Sequence, residues 1–440
     1  MNRALDALLA EAARAGRPIR VGLIGAGVTG RAIALQLLTP PIGIHLLAVA
    51  NRTVERAEQA FREGGAPAPV RVAEPDALDR VADAMGHAVT TDPSVLNRAK
   101  SIDVIVEVTG TQEFAARAVT EAIAHKKHVV LVNAELDSTL GSLLAAQARD
   151  AGVVLTNTDG DEPGVAMTLL RYLRSLGLET VAAGNLKGMI DHYRTPETQR
   201  AFAEQYGQDA RKVTSFADAT KLSMEATILA NATGFRVGKR GMYGPKCAHI
   251  SELPALLPDA DLLAGGLVDF ALGAAPHTGA FVIVHEPNPA KRRHLSYYKL
   301  GSGPFYAFYT PFHLPHIQIV STIARAALQR DPTVAAVGAP RCETITIAKR
   351  DLRAGDVLDG VGGFCAYGLI ENTAEARVER ALPMGLSEGC RLRRGLPRDS
   401  VVRFDDVELP GGRLIDQLWE EQTTRFESAL LSPSGTGGAS

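Results

Sequence analysis

The sequence predicts an α/β protein in three parts: a doubly wound parallel sheet first, an α+β middle domain next, and a β-rich C-terminal domain last. Three observations carry this reading. Residues 20 to about 160 alternate short apolar runs with amphipathic helical patterns. From 161 to about 335 the helical patterns lengthen, and loops rich in Gly, Pro and aromatics appear. From 338 onward strand-like runs dominate. The expected boundaries are therefore 1–160, 161–337 and 338–430, with 431–440 a small, polar, disordered tail.

The first part contains the runs IRVGLIGAG, IHLLAVAN, AVTTD, DVIVEVTG, KHVVLVNAE and GVVLTNTD, separated by segments such as GRAIALQLL and EFAARAVTEAIAHKK. Strands alternating with helices imply βαβ units. Nearly continuous apolar strands imply a sheet covered on both faces. The middle part carries PGVAMTLLRYLRSLG and KLSMEATILANATG as helices and KLGSGPFYAFYTPFHLPH as loop. The last part carries CETITIAKRDL, GDVLDGVGGFCAYGLIEN and SVVRFDDVEL as strands.

Bulk properties exclude several classes. With 440 residues, 46% hydrophobic and 22% charged, the chain has ample material for a core. A net charge of −2 gives no field for nucleic acid or an acidic membrane, so neither is an expected partner. Cys247, Cys342, Cys365 and Cys390 form no CxxC pair and read as free thiols. The N-terminus is an amphipathic helix pattern without a signal-peptide h-region, and no apolar run reaches spanning length. The expectation is a soluble, cytoplasmic protein.

The run VGLIGAGVTGRAIALQLL holds Gly25-x-Gly27-x-x-Gly30 between a strand and a helix, with Val28 and Thr29 at the helix start. That context makes it a dinucleotide fingerprint of the Rossmann type. Gly25 permits a tight turn, Gly27 lets the backbone approach a pyrophosphate, and Gly30 allows helix to pack on strand. The second strand ends in Asn51-Arg52 rather than the Asp or Glu of an NAD site. Arg52 can meet a 2′-phosphate, which favours NADP, or simply start a solvated helix. Thr109-Gly110 and Asn133-Ala134-Glu135 lie at strand ends where cofactors bind. Glu135 reads equally as a nicotinamide or substrate contact and as a first-turn carboxylate.

VGLIGAGVTG, VEVTG, HVVLVNAE and ADATKLSMEATILANATG together resemble homoserine dehydrogenase-type oxidoreductases. In that resemblance Asp218 and Lys221 serve the reacting carbonyl. Glu135 stands where that family has lysine, and the Asp218–Lys221 spacing is one residue short, which points away from homoserine itself. GNLKGMIDHYRTPE, VTSFADATK and GKRGMYGP resemble the 1-deoxy-D-xylulose 5-phosphate reductoisomerase-like branch, whose C-terminal domain is of the SAF type. AKRDLRAGDVLDGVGGFCAYGLIEN resembles the SAF core. The resemblance implies NADPH-dependent isomerisation and reduction of a ketose phosphate, of the 1-deoxy-D-xylulose 5-phosphate to 2-C-methyl-D-erythritol 4-phosphate type. It also implies a divalent metal, magnesium or manganese, and a homodimer.

Such chemistry needs a cation at the carbonyl, a proton carrier and basic groups for the phosphate. Lys187 and Asp191 would be one turn apart on a helix, as active-site partners or as a solvated face. Arg194 could grip a phosphate and His192 could titrate near neutrality. Asp218 and Lys221, three apart, would share a helix face, with Glu225 in an ordinary helix ion pair beyond them. Lys239 and Arg240, with Arg236 and Lys246, form a basic glycine-rich loop able to bind phosphate or merely to be solvated. Asp159, Asp161 and Glu162 group as carboxylates do around hard cations, though turn chemistry explains them as well. His313 and His316 are separated by Pro315, which argues against a helical metal pair. Three functions remain open: the reductoisomerase, an NADP-dependent dehydrogenase of a polyol or amino-alcohol, and a non-catalytic nucleotide sensor.

Overall fold

The computed structural model describes residues 4–39 and 43–431; the tail from 432 lies outside the described residues. The N-terminal sheet has seven parallel strands: β1 (Ile19–Ile24), β2 (Ile44–Ala50), β3 (Val70–Arg71), β4 (Ala88–Thr90), β5 (Val104–Glu107), β6 (His128–Leu131) and β7 (Leu155–Asn157). Their order is β3-β4-β2-β1-β5-β6-β7. The chain moves outward from β1 through β2, then crosses back to β5 on the other side. The crevice at the C-terminal ends of β1 and β5 is therefore the switch point where ligands of such sheets bind. Six of the seven strands match an apolar run in the sequence. The seventh, β3, is two exposed residues at the sheet edge and leaves no such run.

The middle sheet has the order β11-β10-β8-β9, with β8 (Glu179–Lys187), β9 (Leu267–Leu272), β10 (Ala280–His285) and β11 (Phe305–Thr310). Strand β8 pairs parallel with β9 and antiparallel with β10. Alternation splits its two faces. Val282 and Val284 pack with Leu170, Leu222 and Leu229 of the helices Glu162–Ser175 and Thr220–Thr233. Phe281 and Ile283 pack with Ile250, Leu253 and Leu262 on the other side.

The C-terminal part is less strand-rich than the sequence predicts. Its main ladder is β12 (Cys342–Ala348) with β13 (Ala366–Asn372), and much of GDVLDGVGGFCAYGLIEN is turn, with positive φ at Gly360 and Gly362. The helix Leu414–Leu431 returns to the N-terminal sheet. Glu113 accepts from the amides of Leu414 and Ile415 at that helix's start, where a carboxylate meets unpaired donors and the positive dipole end. Gln422 closes the contact by donating to the Thr139 carbonyl. One core runs from Leu140 and Leu144 through Leu382 and Leu386 to Leu418. Among the described residues no helix is long and apolar enough to cross a membrane.

Candidate active site

The glycine turn is built for a close-approaching ligand. Gly25 has φ +113°, and a Cβ on Gly30 would lie 2.1 Å from the Gly25 carbonyl oxygen. A Cβ on Gly27 would meet nothing within 4 Å, so this backbone is open on the side where a pyrophosphate would lie, at the start of the helix Val28–Leu38. A cavity of about 630 Å³ follows, lined by Gly25, Asn51, Arg52, Thr109, Thr111 and Arg117. Asn51 shapes this wall: its Oδ1 accepts from the Ala26 amide at 3.0 Å and its Nδ2 donates to the Thr53 carbonyl at 2.8 Å. The residues present fit a nicotinamide dinucleotide.

Thr109 and Thr111 also line a second cavity of about 420 Å³, with Gly110, Glu135, Lys212 and Lys221. Asn133 does not reach either space. It is fully buried, its Oδ1 capping the helix Ala134–Ala151 at Leu136 and its Nδ2 donating to Glu107 at 2.9 Å. Glu107 itself is pushed up to about 7 by burial, against hydrogen bonds from Thr109 and Asn133.

Lys212 and Lys221 continue into a third cavity of about 530 Å³, whose wall includes Thr29, Asp161, Glu162, Lys187, Glu225, Phe216 and His313. Thr29 places it beside the nucleotide turn, and Lys212 donates to Thr29 Oγ1 at 3.1 Å across the cleft. The floor comes from three elements. Lys187 ends β8, and Asn185 precedes it by two, so both side chains leave one face of the strand. Lys221 and Glu225 lie one turn apart on Thr220–Thr233. Asp161 and Glu162 open the helix Glu162–Ser175, in the stretch where a Cβ on Gly164 would lie 2.2 Å from the Thr158 carbonyl oxygen.

These groups interlock. Lys187 Nζ is 2.5 Å from Glu162 and 3.6 Å from Glu225. Lys221 Nζ is 3.4 Å from Asp161 and 3.7 Å from Glu225. Asn185 donates to Glu225 at 2.9 Å, and His313 Nε2 stands 3.9 Å from Glu162. Burial alone would raise Glu162, but Lys187 and His313 outweigh it and hold its carboxyl down at about 2. Glu225 goes the other way: burial, then the charge of Glu162, push it well above the carboxylate range. Burial opposes charge on both lysines. Glu162 and Glu225 overcome it at Lys187, and Asp161 and Glu135 at Lys221, so both stay above the usual lysine range. At the cleft mouth, burial and the charge of Lys221 lower the pKa of Lys212, a residue exposed overall.

The oxygens of Asp161, Glu162 and Glu225 lie within 4.8 Å of one another, a hard-cation donor set in kind. Both lysines already stand on those oxygens, so a divalent ion would have to displace one.

Several sequence expectations fall elsewhere. Lys187 and Asp191 share no helix: Lys187 ends a strand, and Asp191 lies beyond it in a loop, paired with Arg194 at 3.0 Å away from the cleft. Asp218 and Lys221 share no helix face either, because Ala219 at φ +73° breaks the chain between two helices. The Asp218 carboxylate is buried against Lys349 at 2.8 Å. His192 stacks on Tyr367 with ring centroids 4.6 Å apart. Arg240 is held by Glu371 and Glu379, and Lys239 lies over the Tyr243 ring. Asp159 bonds Ser321 rather than joining Asp161. The residues underrated from sequence are Glu225, read as an ordinary helix pair, and Lys212, which carries no motif.

A family model described as homoserine dehydrogenase, NAD binding domain, matches residues 25–156. One described as oxidoreductase DRL, catalytic domain, matches residues 160–319. No curated protein matches the chain. Among solved structures, the chain is similar to an NAD binding oxidoreductase from Klebsiella pneumoniae at 21% identity and TM-score 0.29 over 40% of this chain; it spans 44% of that protein's length. A probable dehydrogenase from Thermotoga maritima is 13% identical at TM-score 0.41, covering 71% of this chain and 90% of that one. The myo-inositol dehydrogenase from Lactobacillus casei, solved with NAD(H) and myo-inositol, is 15% identical at TM-score 0.36, covering 73% and 97%. With an NAD-binding domain, an oxidoreductase catalytic domain and a fitting nucleotide turn, the chain is an NAD(P)-dependent oxidoreductase enzyme.

Proposed function

We propose that this enzyme interconverts a polyol- or sugar-type alcohol and its carbonyl form with NADP(H), with Lys187 and Lys221 as cations at the reacting oxygen and Glu225 as proton carrier. The observation that supports this is the geometry of two neighbouring buried carboxyls between two lysines beside the nucleotide turn: Lys187 stands 2.5 Å from Glu162 and 3.6 Å from Glu225, and Lys221 3.7 Å from Glu225, so the lysine charge lowers Glu162 while burial and the charge of Glu162 raise Glu225. Titratable neighbours separated in this way are suited to acid and base roles. The cofactor supplies or accepts hydride; the chain's own residues hold the oxygen and move its proton. NADP is favoured over NAD because Arg52 and Arg117 line the first cavity and Asn51 stands where an acidic residue would meet a ribose hydroxyl.

A second reading, reductoisomerisation of a ketose phosphate, is favoured by the Asp161, Glu162 and Glu225 oxygens, which could take a divalent ion. Its expected phosphate ligands carry protein partners here: Arg194 pairs with Asp191, Lys239 lies over the Tyr243 ring, and Arg240 pairs with Glu371 and Glu379. An assay with NADPH or NADH separates the readings, using unphosphorylated ketoses, 1-deoxy-D-xylulose 5-phosphate and aldehydes, each with and without magnesium or manganese. Turnover of an unphosphorylated ketose supports the first. Turnover confined to the sugar phosphate selects the second. Tight NADPH binding with no turnover on any member sinks both. Arg52→Ala should lower the NADPH-over-NADH preference about ten-fold, the value of one charged hydrogen bond; an unchanged ratio would remove Arg52 from the cofactor site.

A further inference from the structure

We propose that Lys349, contributed by the C-terminal part, is the positioning residue that fixes both cleft lysines; the catalytic consequence rests on the function proposed above. Lys349 immediately follows β12 and is buried. Its ammonium has three donors and three acceptors: Asp218 Oδ2 at 2.8 Å, the Arg194 carbonyl at 2.8 Å and the Gly363 carbonyl at 2.7 Å. Nothing is left for a ligand.

Two of those acceptors belong to stretches that carry the cleft lysines. Asp218 is three residues before Lys221. Its Oδ1 accepts from the Thr220 amide at 2.9 Å, and so takes the capping role that Ala219 cannot fill at the start of the helix Thr220–Thr233. Strand β13 adds a second hold, the Gly368 amide donating to Thr220 Oγ1 at 2.8 Å. The next residue is Lys221, and Glu225 follows one turn later. The Arg194 carbonyl lies on the loop that leaves Lys187 at the end of β8. That loop is pinned to the same point again, because the Asp191 amide donates to the Ala217 carbonyl and His192 Nδ1 lies 2.9 Å from the Asp218 carbonyl oxygen. One buried ammonium thus joins the two segments whose lysines meet over Glu225.

The test reads lysine reactivity as well as turnover. Acylation with acetic anhydride, followed by peptide mass spectrometry, measures Lys221 against exposed Lys100 in the same sample. Lys221 should react slowly in the wild type. Lys349→Met leaves a buried unpaired carboxylate and can fail to fold, so the decisive variant is Asp218→Asn/Lys349→Met, which removes both charges and the donors together. Its Lys221 labelling should rise several-fold and its kcat fall about 10²-fold, as for misplaced catalytic groups, with NADPH affinity unchanged. Asp218→Asn/Lys349→Gln, which keeps an amide donor, should restore most of both. A folded Asp218→Asn/Lys349→Met variant with wild-type Lys221 labelling overturns the proposal. Because the labelling needs no substrate, absence of turnover in the wild type would count against the proposed function and leave the positioning result to stand or fall separately.

Discussion

Lys221 and Asp218 are three residues apart, and each belongs to a lysine–carboxylate group of opposite design. Asp218 meets a single lysine, Lys349, whose side chain is 2% exposed and whose donors are all used. Lys221 meets Asp161 and Glu225, shares Glu225 with Lys187, and lines two cavities. In the first group charge is matched one to one and closed to solvent. In the second, three acids share two ammonium groups with His313 beside Glu162, and the group opens onto the nucleotide cleft. A lone buried pair of the first kind specifies structure. A frustrated cluster of the second kind is where a proton can be moved.

The largest effect expected from this contrast is on turnover. Lys221→Met should lower kcat by roughly 10²–10⁴-fold, the range for losing a proton-transfer or charge-stabilising group, with NADPH affinity little changed. Steady-state kinetics and fluorescence titration of NADPH check the two halves separately. If kcat survives within a few-fold, Lys221 belongs with Lys349 as a structural cation and the contrast collapses.

Asp218→Asn should lower stability first, and turnover with it, because the pair it breaks also positions Lys221. Leaving the Lys349 charge buried without its partner costs on the order of 3–5 kcal/mol of stability. Urea unfolding should show the loss directly. A variant with wild-type stability and lost turnover would instead return Asp218 to the chemistry, as the homoserine dehydrogenase resemblance implies.

That pair of residues also marks where the sequence stops being legible. The N-terminal sheet is readable because parallel strands are continuous apolar runs and because Gly25, Gly27 and Gly30 carry a fixed backbone requirement. Lys187, Lys221 and Glu162 can be selected as charged residues beside apolar elements. Which acids they face cannot be read, because Asp161 and Glu162, Lys187, and Lys221 with Glu225 come from three separate elements that only the fold brings together. Helical spacing misleads at two points for identifiable reasons: a strand runs to Lys187, and Ala219 takes a left-handed conformation that alanine rarely adopts. Arg194 and Arg240 look available in sequence, and each is held by acids, Asp191 for the first and Glu371 with Glu379 for the second.

The smallest effect sharpens the cluster itself, through pH. Glu162 is held down at about 2, chiefly by Lys187 and His313 against the opposing cost of burial, whereas an unfolded glutamate titrates near its ordinary value of 4.5. A carboxyl lowered in the folded state contributes stability above its unfolded pKa and loses it as pH falls through its folded pKa. The contribution of Glu162 is therefore full above about 4.5 and gone near 2, and it amounts to roughly 3–4 kcal/mol at neutral pH. Glu162→Gln should be less stable than wild type by about that amount at pH 7, with the gap closing as the solution is acidified across this window. Asp218→Asn should follow another course, because burial raises Asp218 despite Lys349. Paired urea titrations at several pH values distinguish the two. If the Glu162→Gln deficit is independent of pH, the carboxylate is held by packing rather than by the charge of Lys187, and the cluster is not the charge-coupled group described here.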